Sequence, residues 1–477
     1  MEKNILAGLE PQKVFEFFEE LSRIPHGSGN TEAASKWAAA FAEKRGLRHR
    51  RDAVGNVVIW KDASPGYEDH PAVMLQGHLD MVCVKDNGVE HDFLKDPLDL
   101  YVDGDWVKAR GTTLGGDDGI AIAMAMAVLD DGTIPHPPLE AVFTVGEEVG
   151  MDGANALDVS GLKSRCLINI DSEAEGILTV GCAGGARADI AKTMQTAPGN
   201  GNACTITINE LKGGHSGVDI GKGRVNANRL LADYLSTLPG LRIVSLHGGE
   251  QDNAIPNRAE AVVLLTGSQL EEAEEKISDW VKQWKANFPQ DADWYLVMKC
   301  SGGKEALSAE DSQTVLQLIR ETPNGIQSME PDLPGQVRTS LNLGVLRLEK
   351  GELRFSFCVR SSSGAEKERL FQEIRAAAEK YGASYSQHGE YPAWEYRKDS
   401  RLRETMIRIF EKQYGKKPVV ETIHAGLECG LLADKLPGLD AVSIGPDMVD
   451  IHSPRERMSV ASVQRTWAFL LEVLAAL

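Results

Sequence analysis

Strand-length apolar runs alternate with helical ones up to about residue 186, a different order occupies residues 187–388, and the alternation returns from residue 389 onward. In the first stretch GNVVIW and PAVMLQGHLD read as strands and GIAIAMAMAVLDDG as a buried helix. LEAVFTVGEE, RCLINID and GILTVGC read as further strands. This predicts an α/β catalytic domain with a mixed sheet flanked by helices. The middle stretch places the helix VNANRLLADYLSTL, the strand AEAVVLLTG and the long helix LEEAEEKISDWVKQWKANF in an order that recurs more weakly up to residue 388. That predicts an inserted α+β domain built from two similar units. The simplest organisation is a first domain in two parts, 1–186 and 389–477, interrupted by a second domain over 187–388, with the glycine-rich run GCAGGARA marking a hinge.

A chain of 477 residues exceeds one ordinary core, which agrees with two domains. Its net charge of -19 excludes non-specific nucleic-acid binding, which needs a basic surface, and favours attraction of cations to local carboxylates. The seven cysteines are scattered and form no C-x-x-C pair, so neither a disulfide framework nor a zinc ribbon is expected. The N-terminal run has an amphipathic helical pattern rather than that of a signal peptide, and the apolar C-terminal run carries Arg465 and Glu472. A soluble cytoplasmic protein without nucleic-acid or membrane partners follows as the expectation.

Five acid or imidazole clusters then claim attention: His78/Asp80 in GHLD, Asp117/Asp118 in GGDDG, Glu147/Glu148 in GEEVG, Asp171 in NIDSE and His452 in DMVDIHSP. Each lies at a predicted strand exit, where ligand crevices of open α/β sheets form. Taken singly, each has a plain explanation. H-x-D matches by chance about nine times in ten, GGDDG is an ordinary turn, GEEVG a solvated loop, NID a helix cap and His452 an exposed loop residue. Five such clusters, most of them beside glycine, are hard to explain as separate surface turns. Oxygen and nitrogen ligands gathered at one edge suit zinc, manganese or cobalt. On a regular strand Glu147 and Glu148 would point to opposite faces, so a division of labour is expected, one as ligand and one as proton carrier.

In this order, GHLDMV, GGDDG, GEEVG, NIDSE, GGHSG and IHSP resemble the M20 family of co-catalytic metallopeptidases along the whole chain. GHLDMVCVK, GTTLGGDDGIA, EEVGMDGA and HAGLECG are most similar to its aminoacyl-histidine dipeptidases. The resemblance implies a zinc-peptidase-like catalytic domain with an inserted lid, and two divalent metal ions, zinc first, with manganese and cobalt as alternatives. It makes Asp117 the bridging carboxylate, with His78 and Asp171 completing one metal site and Glu148 and His452 the other. Asp80 would orient His78, and Glu147 would be the general base that activates a bridging water. A cis peptide is implied at Asp117–Asp118. In the lid, His215 would polarise the scissile carbonyl, while Asn253 and Arg360 would hold the substrate's C-terminal carboxylate, a task suited to a bidentate guanidinium. Glu428 would meet the substrate's amino group. A homodimer is left open, because the doubled lid could supply within one chain what a partner subunit supplies in dimeric relatives.

The function so implied is metal-dependent hydrolysis of unblocked dipeptides, favouring C-terminal histidine and including β-alanyl-histidine. The alternatives are an aminoacylase or N-acyl-amino-acid deacylase on the same scaffold, and a non-catalytic metal-binding protein. A two-metal phosphoesterase is disfavoured because no phosphate-positioning basic residues accompany the clusters.

Overall fold

The apolar runs ending at Thr144, His78, Asn169 and Ser443 are the four parallel central strands of an eight-stranded mixed sheet. In spatial order the sheet runs Arg48–Arg51, Val57–Lys61, Leu139–Thr144, Val73–His78, Cys166–Asn169, Asp440–Ser443, Ile177–Cys182 and Val419–Ile423. Every residue of Val73–His78 and Leu139–Thr144 is buried, as expected of central parallel strands covered on both faces. Parallel neighbours end at the same sheet edge, so the segments after these four strands emerge side by side.

The computed structural model describes residues 4–291, 293–301 and 305–477. They divide into two units. The first comprises Met1–Gly181, Tyr396–Thr422 and Leu427–Leu477, and the second Cys182–Glu395 and Ile423–Gly426. In the first unit the helix Gly116–Asp130 is buried along Gly119–Leu129, which explains its uniformly apolar sequence. Gly77 and Gly119 let it pack closely. A Cβ on Gly77 would stand 2.5 Å from both the Ala121 Cβ and Asp118 Oδ2, and one on Gly119 would stand 3.2 Å from the Phe18 ring. A smaller four-stranded sheet, Met448–Val449, Arg457–Ser459, Trp106–Ala109 and Leu100–Asp103, frames the segment that carries His452.

The second unit is built on a nine-stranded antiparallel sheet. Its strands run Tyr295–Ser301, Asn202–Asn209, Ala259–Leu265, Arg242–Gly248, Val337–Glu349, Glu352–Ser361, Gly184–Thr193 and Ser384–Tyr391, with Gly325–Met329 beside Val337–Glu349. The two recurring α+β runs of the sequence thus share one sheet and one core, in which Ile206, Leu231, Val263, Phe355, Phe357 and Ile374 are buried. The glycine-rich run forms no turn at Gly184 and Gly185. Both lie in a strand, and a Cβ on either would come within 2.6 Å of the Pro392–Ala393 backbone or the Tyr391 hydroxyl. One cysteine pair is joined, which is short of the disulfide framework that the spacing argued against. Cys204 and Cys300 are bonded across directly opposed positions of neighbouring strands, with Cα atoms 3.9 Å apart. A sequence separation of 96 residues hides such a pair until the strands are aligned. Among the described residues, no helix is long and apolar enough to cross a membrane.

Candidate metal centre and active site

His78 is the last residue of its strand and fully buried. Its Nδ1 lies 2.9 Å from the backbone carbonyl of Asp80 and so donates there, which turns the Nε2 lone pair toward the carboxylates. Nε2 stands 3.1 Å from Asp117 Oδ1 and 3.6 Å from Asp171 Oδ1. The other oxygen of Asp117, Oδ2, stands 3.2 Å from Nε2 of His452, which is itself 3.0 Å from Glu148 Oε1. One carboxylate therefore faces two imidazoles, one from each of its oxygens. The Asp117–Asp118 peptide is cis, as the resemblance implied.

Glu147 and Glu148 do not alternate across a strand, because the strand ends at Thr144. The GEEVG run is a tight turn with Gly146 at φ 70°, closed by Gly150 N–H to the Glu147 carbonyl at 3.1 Å and Asp152 N–H to that of Gly146 at 3.3 Å. Donor atoms of both glutamates fall within 4.8 Å of His78 and of each other. The expected opposition of neighbouring side chains holds only on a regular strand, so it does not apply here. The Asp80 carboxylate holds this turn. Oδ1 accepts the Glu147 N–H at 3.1 Å, and Oδ2 accepts the Glu148 N–H at 3.3 Å and the Ser28 hydroxyl at 2.8 Å. Asp80 Oδ1 lies 3.7 Å from His78 Nδ1, so residue 80 meets the ring chiefly through its backbone.

The electrostatics match a cation site. Burial pushes the His78 pKa down, yet its bonds to Asp117 and Asp171 outweigh this and raise it well above the ordinary value. Burial opposes ionisation of Asp117, but bonds from His452 and His78 hold it far below the usual carboxylate range. Bonds to Asp117 and Glu148 raise His452 to about 10. Burial lifts Asp171 to about 6 and raises Glu147 well above its usual value, with neighbouring carboxylates adding to both shifts. Two imidazoles and at least three carboxylates converging in a buried place, each imidazole with a nitrogen free to ligate, fit two divalent cations.

Three further acidic side chains surround this cluster, of which the motifs had singled out Glu428 alone. Glu173 is raised to about 7 by burial and then by Asp117 and Asp171. Glu456, four residues after His452, accepts backbone N–H groups of the Asp117 segment. Glu428, expected beside a substrate amine, is fully buried. Its Oε2 accepts Gln76 Nε2 at 2.5 Å and Thr144 Oγ1 at 2.6 Å, and Asn169 Nδ2 donates onward to Gln76 Oε1 at 2.6 Å. This network ties together the ends of the three strands that lead to His78, Glu147 and Asp171.

In the second unit His215 starts the turn GGHSGVD. Its N–H donates to Asp219 Oδ2 at 2.8 Å, and its Nδ1 accepts from Gly217 and Val218 N–H at 3.3 and 3.2 Å. Nε2 lies 3.4 Å from Arg360 Nη2, so donors face both ring nitrogens. Arg360 is only 7% exposed. Its Nη1 donates to the Tyr391 hydroxyl at 3.1 Å, and its Nε is buried without a partner among the described residues. Asn253 sits beside this pair in the backbone, its carbonyl accepting Ser216 N–H at 2.8 Å while Ala254 pairs with His215. His424, which the motifs did not mark as a site residue, binds Ser340 Oγ through Nε2 at 2.7 Å.

Residues 74–476 match the family model described as peptidase family M20/M25/M40. The chain belongs to this family and is a hydrolase acting on peptide bonds. Among its individual relatives, it is 36% identical to the cytosol non-specific dipeptidase of Escherichia coli K12 over 98% of both chains. It is similar in structure to the aminoacylhistidine dipeptidase of Vibrio alginolyticus, with TM-score 0.95 and 36% identity, covering 100% of this chain and 98% of that one. The aminopeptidase PepT of Bacillus cereus shares the fold at TM-score 0.56 and 16% identity, over 98% of each chain.

Proposed function

We propose that this chain is a dinuclear metallo-dipeptidase that hydrolyses unblocked dipeptides, with C-terminal histidine favoured. The observation that carries the reading is the Asp117 carboxylate, whose two oxygens face His78 at 3.1 Å and His452 at 3.2 Å. His78 and Asp171 would hold one cation with Asp117, and Glu148 and His452 the other. Zinc is the favoured ion, and the same donors accept manganese or cobalt. Bound cations supply Lewis acidity and a lowered pKa for water.

Glu147 takes the proton from the attacking water and returns it to the leaving amine. Asp80 keeps that carboxylate in place by holding the Glu147 and Glu148 backbone. Arg360, a buried guanidinium whose described hydrogen bonds reach no anion, receives the substrate's C-terminal carboxylate, with Asn253 beside it. His215 donates through Nε2 to the scissile carbonyl oxygen as negative charge develops there.

The preference for C-terminal histidine is supported by the Vibrio relative, an aminoacylhistidine dipeptidase, and a cytoplasmic location by the Escherichia coli one, a cytosol dipeptidase. A homodimer is retained as the alternative to a monomer, and sedimentation separates the two. The test of function is a panel of Xaa-His, β-alanyl-histidine, other dipeptides and their N-acetylated forms, run with and without added zinc, manganese or cobalt. Cleavage of free dipeptides but not of acetylated ones is expected, and the reverse selects a deacylase. Glu147→Ala should cut turnover by about 10²- to 10⁴-fold while metal content stays unchanged. A fully active variant removes Glu147 from the chemistry.

A further inference from the structure

Glu456 is 3% exposed and is not among the residues proposed as ligands. Its carboxylate accepts four consecutive backbone N–H groups. Oε2 takes those of Leu114 at 2.7 Å and Gly115 at 3.2 Å, and Oε1 takes those of Gly116 at 2.8 Å and Asp117 at 3.4 Å. Gly115, at φ 68°, curls this backbone around the anion as a nest. A Cβ on Gly116 would lie 3.3 Å from Glu456 Oε1, so this stretch of backbone is shaped around the carboxylate.

On its own side, Glu456 closes the segment that carries His452. Its N–H donates to the Ser453 carbonyl at 3.0 Å, Ser453 Oγ donates to the Asp450 carbonyl at 2.7 Å, and Arg457 pairs with Asp450 at 2.6 Å. Asp450 and His452 both have left-handed backbones, at φ 58° and 56°, a conformation that non-glycine residues keep only when their surroundings impose it. His452 is also the most exposed of the five proposed ligands, its side chain 47% accessible. By contrast, His78 ends a central strand and Asp171 directly follows Ile170, whose N–H bonds the Gln76 carbonyl at 3.1 Å. The sheet holds those two residues without help from Glu456.

We propose that Glu456 is a positioning residue that fixes Asp117 and His452 in one frame, and that its loss weakens the Glu148–His452 metal site more than the His78–Asp171 site. The proposal rests on the dinuclear reading above, and its test separates the two. Chelator-stripped wild type and Glu456→Gln are titrated with Zn²⁺ against a competing chelator, with Co²⁺ absorption as a second readout. The Gln variant keeps the side chain's size, but its amide donors face backbone donors. The expected result is two sites in wild type. In the variant, the site with His452 is weakened by about 10- to 100-fold, the usual cost of losing a group that orients metal ligands, and the other, which shares only Asp117 with it, by clearly less. Glu456→Asp, which keeps the charge, should recover part of the loss. Equal weakening of both sites overturns the proposal, as do wild-type affinities at both, or a Gln variant that does not fold. Wild type that binds fewer than two ions instead overturns the dinuclear reading.

Discussion

Arg360 and Glu456 make opposite use of burial. The Glu456 carboxylate is met by four donors, whereas the Arg360 guanidinium leaves a buried N–H without an acceptor among the described residues. An unsatisfied buried donor is costly unless a ligand completes it. Arg360→Ala is therefore expected to raise KM for dipeptides by about 10- to 100-fold, from the 1.5–3 kcal/mol typical of a charged hydrogen bond, with a smaller change in kcat. Steady-state kinetics across a dipeptide series checks this, and Arg360→Lys should restore little, because an ammonium lacks the planar fork. His78, Asp117, Glu148, Asp171 and His452 could be picked out in the sequence because each is a polar group at or beyond the end of an apolar run. Glu456 could not, since a glutamate in SPRER looks like part of a solvated loop. Ser28 likewise shows its link to Asp80 only once residues 52 apart are brought together.

At the scale of elements, the site is a property of strand ends, of the turns after them and, for Asp117, of the start of the Gly116–Asp130 helix rather than the strand exit expected. Gly77, immediately before His78, is where the Gly116–Asp130 helix approaches its strand most closely. A methyl there would meet Ala121 and Asp118 at 2.5 Å. Gly77→Ala should destabilise the fold by about 1–3 kcal/mol, the range for overpacking a filled core, and should displace the Asp118 carboxylate that accepts the His78 N–H at 3.1 Å. Urea unfolding of the variant against wild type measures this, and unchanged stability would mean that the helix moves freely at this contact. The strands and the buried helix could be read from apolar runs. The turn that brings Glu147 and Glu148 to the same cluster could not, because period-two alternation says nothing about backbone beyond a strand's last residue.

For the molecule as a whole, acid should erode stability partly through one histidine in the second unit. Burial, then the charges of Arg360 and His215, lower the His424 pKa from 6.5 to about 3. Between those values the unfolded chain binds a proton that the folded chain refuses, so stability falls as pH drops through 6.5 toward 3. The slope from this group is about 1.4 kcal/mol per pH unit. His424→Gln should remove one proton's worth of that slope, measured as urea midpoints between pH 4 and pH 7 (roughly the window in which this group alone shifts). An unchanged slope would show that His424 does not control it.

The sequence by itself determined the layered α/β class and the residue types that gather around Asp117, because hydrophobic period and polar ends of apolar runs are local properties. Only the tertiary structure decided which oxygen of Asp117 faces which imidazole, that Asp80 and Glu456 hold backbone rather than metal, and that Cys204 meets Cys300. Those facts depend on segments far apart in the chain meeting at one sheet edge or in one strand register, and no local pattern encodes the distance between them.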